Sequence, residues 1–123
     1  MTLSTDLRTL LRTELTRAMK HHDRLAAGAL RSAIGAIDNA EALPPRESVA
    51  PAGEGPIAGA AVGLGATEAA RRDLTPQDVH EVLEAEVAER REAADEMQGA
   101  GRPDRAADLR READLLESVL RSS

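Results

Sequence analysis

At 123 residues and 41% hydrophobic side chains, the chain can build one small core and is expected to form one domain. It has no cysteine and no Phe, Trp or Tyr. That excludes disulfides, thiol chemistry and the aromatic platforms on which most single-strand RNA and DNA binders stack bases. The net charge of −6 is unevenly placed: residues 1–43 hold six basic and five acidic side chains, residues 74–123 seven basic and thirteen acidic. The acidic half disfavours nonspecific phosphate contacts, so no DNA partner is expected. No apolar run suits a membrane span and no leader pattern occurs, so a cytoplasmic protein without a membrane partner is expected.

Taken in order, the chain first predicts a helix from about Asp6 to Met19, capped by Ser4 or Thr5, with Leu7, Leu10, Leu11, Leu15 and Ala18 as its apolar stripe. Lys20, His21 and His22 sit at its C-terminal end, where positive charge is favourable. Asp23 is placed to cap a second helix, about Arg24 to Ala42, with the stripe Ala26, Ala29, Leu30, Ala33, Ile34 and Ile37. Gly28 and Gly35 weaken that helix by about 1 kcal/mol each relative to Ala. Pro44 and Pro45 end it. Residues 44–73 then carry four of the six prolines and five of the nine glycines, which reads as a long linking loop.

The clearest local signals open the third helix. Thr75 can cap it, Pro76 suits the first helical position, and Asp78 can complete a short capping box. Val79, Val82, Leu83, Val87, Ala94 and Met97 form its apolar face, and Gly99 or Gly101 closes it. Pro103 and Asp104 start a fourth helix. Its Ala106, Leu109, Ala113, Leu116 and Leu120 repeat at the spacing of a helix packed lengthwise on a neighbour. The short links within 1–43 and within 74–123 make each pair of helices an antiparallel hairpin. The expected fold is all-α: two helical hairpins joined by a long Pro/Gly-rich loop.

Motifs for chemistry are sparse. His21 and His22 are adjacent, so their rings diverge, whereas a metal pair on a helix needs a separation of four. His80-Glu81-Val82-Leu83-Glu84 begins like the zinc-hydrolase signature but has Glu84 where the second His belongs. Gly63-Leu64-Gly65 is a lone fragment of a nucleotide-binding pattern, and Arg46, Arg71 and Arg72 are loop charges. No catalytic residue, metal or cofactor is assigned. Glu86, flanked by apolar positions 82, 83 and 87, is expected to form a half-buried pair with Arg90, in the order that supports a helix by about 0.2–0.5 kcal/mol.

Three stretches carry a family resemblance. One runs from Leu15 to Glu41, with Ala18-Met19-Lys20, Asp23, Leu30-Arg31, Ile34, Ile37 and Asn39. The second is Val82-Leu83, Glu86-Val87 and Glu89-Arg90-Arg91-Glu92, and the third Gly101-Arg102, Asp104, Ala106, Glu112 and Leu116. In order and spacing they resemble the YqeY-like family, relatives of the tail region of the B subunit of the tRNA-dependent amidotransferase. The resemblance implies an all-α fold, a link to tRNA and to amidotransferase subunits, and carbon–nitrogen ligase activity with glutamine as amide donor. In that family Tyr-Leu-Pro usually precedes a small tail domain; here the position holds Val119-Leu120-Arg121 and the chain stops at Ser123. The tail is therefore expected to be missing, and the expected role is a non-catalytic accessory or binding module, with the ligase activity as the alternative. The resemblance makes Arg31, Asn39, Arg90, Arg91 and Arg102 binding candidates in a groove between the hairpins, and Glu86 is a further binding candidate. A third reading is a homo-oligomer joined through the fourth-helix seam, residues 104–121.

Overall fold

A computed structural model describes residues 6–42 and 73–123. Every regular element among them is helical: α1 (Leu7–Lys20), α2 (Arg24–Ala42), α3 (Pro76–Gly99) and α4 (Pro103–Ser122). The fold is all-α, with two hairpins, as the periodicity predicts. The expected caps Ser4 and Thr5, the fragment Gly63–Gly65, and Arg46, Arg71 and Arg72 lie outside the described residues. Two compact units divide the chain. One comprises Met1–Ile37 with Thr75–Ser123, and the other Asp38–Leu74. The first unit holds α1, α3, α4 and most of α2; the last turn of α2 belongs to the second.

The helix ends follow from local chemistry. α1 begins after Asp6, which lacks a side-chain capping bond. α2 is capped by Asp23, whose Oδ1 accepts the Ala26 amide at 3.0 Å. α3 opens with a complete capping box. The Asp78 amide donates to Thr75 Oγ1 and the Thr75 amide to Asp78 Oδ2, each at 3.0 Å, so two otherwise orphaned donors are satisfied. Of the two candidate glycines Gly101 takes the left-handed conformation, with φ +77°, and Gly99 stays helical. α4 starts at Pro103 behind Arg102, which makes no capping bond.

α3 and α4 pack along one another, and α1 packs on both. Leu11, Leu83 and Leu116 are fully buried, as are Ala94, Ala106 and Ala113. The alanines allow close approach of the helix backbones: Ala94 packs with Ala106 and Leu109, edged by Ala93 and Met97. Each expected stripe holds, with shifts. Leu10, Leu15, Ala26, Ile34, Val82, Met97 and Leu120 are half-buried, while Ala27 and Val119 are buried instead of exposed. α4 meets both α3 and α1, and its covered face includes Val119. The seam itself is covered inside the chain. Self-association through α4 would need its other face or an exchanged hairpin.

Candidate functional site

Glu86 and Arg90 lie one turn apart on α3, beside the buried Leu83 and Val87. Arg90 donates from Nη1 to Glu86 Oε1 at 2.8 Å and from Nε to Glu112 Oε1, on α4, at 3.0 Å. Nη1 also reaches the Glu86 carbonyl at 3.2 Å. Ser32 Oγ on α2 donates to Glu86 Oε1 at 3.5 Å, and Arg105 Nη1 lies 3.9 Å from Glu112 Oε2. Only 11% of the Arg90 side chain is exposed, with 15% for Glu86 and 14% for Glu112. Three helices therefore meet on one cluster of two carboxylates and two guanidiniums. At such depth Glu86, Arg90 and Glu112 need one another, and the cluster fixes the register of α3 against α4.

Arg91, the next residue, points elsewhere. Its guanidinium bonds Glu117 and, at 3.3 Å, Asp114, both on α4. The Glu117 hydrogen bond, aided by Asp114, holds the Arg91 pKa above its ordinary value, so Arg91 stays charged. Arg110 extends the row, bonding Asp95 and Gln98 at 3.2 Å. Arg90, Arg91 and Arg110 are thus occupied with carboxylates across the α3–α4 interface, and Arg90 and Arg91 hold the two helices together.

The remaining candidates are dispersed. Arg102 is exposed at the α3–α4 turn. Asn39 is exposed on the last turn of α2, in the unit Asp38–Leu74. Arg31 is exposed on α2 and lines a concave surface with Ala18, Met19, His22, Asp23, Arg24 and Ala27. Of the residues proposed from sequence, Glu86 and Arg90 come together; the others do not join them. Sequence reading missed Glu112 as the second partner of Arg90. The signal lay in the turn: with Gly101 at its centre, Arg90 and Glu112 stand eleven residues to either side and so face each other.

His80 Nδ1 lies 3.5 Å from Glu84 Oε2, the pair left by the broken zinc signature. Among the described residues no three His, Asp or Glu side chains gather as a metal site, and no helix is long and apolar enough to cross a membrane.

An all-α chain whose second hairpin is locked by cross-helix charge pairs is the class these observations define. The family model described as Yqey-like protein matches residues 58–122, more than half the chain, and the chain belongs to that family. The match takes in all of α3 and α4; α1 and α2 lie before it. No curated protein and no solved structure matches.

Proposed function

We propose that the chain is a helical binding module, accessory to tRNA-dependent amidation, and that α1–α2 supplies its binding surface. The carrying observation is that Arg24 and Arg31 stand exposed together on one concave surface of α1–α2, whereas most arginines of α3 and α4 are paired; Arg102 and Arg121 are exposed too, and Arg17 of α1 lies 3.9 Å from Glu14. Arg90, Arg91, Arg105, Arg110 and Arg111 of α3 and α4 each have a carboxylate partner. Arg24 and Arg31 are exposed, and no carboxylate among the described residues pairs with them. Cations left in water on a concave surface are available to a ligand at little desolvation cost. The link to amidation is what the resemblance to relatives of the amidotransferase B-subunit tail implies, with tRNA or an amidotransferase subunit as the partner. Arg31, Asn39 and Arg102 remain its binding candidates, while Glu86, Arg90 and Arg91 act by holding the scaffold.

The test is glutamine-dependent amidation of misacylated tRNA by a purified amidotransferase, with and without the chain, and by the chain alone. An accessory module changes the rate of the complete enzyme and has no turnover alone. Glutaminase or amide-transfer turnover by the chain alone would establish the alternative, a carbon–nitrogen ligase using glutamine. No effect in either assay would remove both readings.

A further inference from the structure

We infer that the groove at the α1–α2 turn binds a short acidic segment of a partner protein that carries one apolar anchor side chain. This rests on the reading of the chain as a binding module and names the partner's chemistry. The groove lies between the last turn of α1 and the first two turns of α2. Ala18, Met19 and Ala27 give it an apolar lining, and Met19 is 50% exposed, the large hydrophobic side chain left in water among the described residues. His22, Arg24 and Arg31 give it a basic rim. Arg24 and Arg31 are seven residues apart, so they stand on one face of α2 about 10 Å apart along its axis. Asp23 contributes the acidic group of the lining, and one of its oxygens already accepts the Ala26 amide. Gly28 lies on that same face, and a Cβ there would meet nothing within 4 Å, so an approaching chain finds no side chain in its way.

Charge and polarity together select the occupant. A chain of net charge −6 that leaves two arginines unpaired beside an apolar lining presents a surface complementary to carboxylates flanking a hydrophobe. A nucleic-acid backbone satisfies the cations but offers nothing to Met19 and the alanines, and the chain has no aromatic side chain on which to stack a base. A peptide with Asp or Glu on either side of one Leu satisfies both parts.

The experiment is fluorescence anisotropy with the full chain and a labelled peptide in which Asp and Glu flank a central Leu. The expected result is binding that weakens with added salt. Affinity falls about tenfold for Arg24→Glu/Arg31→Glu, the size set by losing two exposed ion pairs. Replacing the peptide Leu by Ala also weakens binding. Met19→Ser removes the discrimination between Leu and Ala peptides and keeps the salt dependence. Both arginines are exposed and unpaired, so the double variant retains the wild-type circular dichroism. Absence of binding, equal affinity for the double variant, or indifference to the peptide Leu overturns the inference. So does tighter binding of a mixed-sequence single-stranded RNA, or a dimer in sedimentation that the double variant loses. If the chain alters amidation while the peptide fails to bind, the groove assignment falls and the accessory role stands.

Discussion

The turn between α1 and α2 and the turn between α3 and α4 use the same backbone bonds with different residues. In the first, the Asp23 amide reaches back to the Ala18 carbonyl at 2.9 Å and the His22 amide to Met19 at 3.1 Å. In the second, Arg102 reaches Met97 at 2.8 Å and Gly101 reaches Gln98 at 3.2 Å. Both are Schellman motifs, and in both the residue after the left-handed position serves directly as N-cap of the next helix. Each satisfies one local rule and breaks the other. The first has a capping Asp23 but puts His22 at φ +56°; the second has Gly101 at φ +77° but caps with Arg102. Either hairpin therefore tolerates one unfavourable local choice, because tertiary packing outweighs a loss of about 1 kcal/mol.

The sharpest difference between the hairpins is the charge cluster that holds the second, and it gives the largest effect. Arg90→Ala leaves Glu86 and Glu112 facing each other nearly buried, and urea unfolding should show a loss of about 3 kcal/mol. Replacing Arg90, Glu86 and Glu112 at once by Met, Gln and Gln removes the uncompensated charge and should restore most of that stability; a triple variant as weak as Arg90→Ala would show that packing, not charge, sets the loss.

Next come the turns. Gly101→Ala meets no steric obstacle at its Cβ, so its cost is backbone strain alone, about 1–2 kcal/mol in thermal unfolding. His22→Gly relieves the same strain at the first turn and should stabilise by about 1 kcal/mol. If it does not, the His22 ring contributes something that the backbone account omits. Arg102→Asp supplies the missing cap of α4 and complements its positive end, with a gain of about 0.5–1 kcal/mol. A simultaneous fall in the effect on amidation would separate a binding role for Arg102 from its place in the turn. Last is Gly35→Ala on α2, which fills open space and should stabilise by at most about 1 kcal/mol, read as a shift in denaturation midpoint.

These contrasts show where sequence reasoning holds. Thr75, Pro76 and Asp78 act within one turn of chain, so the start of α3 is legible without tertiary knowledge, as is the cap at Asp23. The four helices and most of their apolar faces follow from period alone. Val119 is buried and Leu120 only half-buried, a shift of one position that the 3-4 spacing of a single helix does not contain. The left-handed His22 was equally hidden, since a histidine carries no mark of that conformation. For the candidate site, the pairing of Glu86 with Arg90 is local and was legible. Its completion by Glu112 depends on the register of α3 against α4. Arg31 could be nominated, but its concave setting beside Met19 depends on the angle at which α2 leaves α1.

The two kinds of cross-helix bond also differ in how much chain they enclose. The Arg90–Glu112 bond spans 22 residues and the Ser32–Glu86 bond spans 54. Closing the longer span costs about 0.8 kcal/mol more in chain entropy, and it requires α2 and α3 to meet across the whole segment Asp38–Leu74. Local contacts set folding rate, so α3 and α4 should pair first and offer the surface on which α1 then docks. The chain is made in the opposite order. During synthesis α1 leaves the ribosome before α3 and α4, the helices it packs on, exist, and that packing awaits the translation of α4.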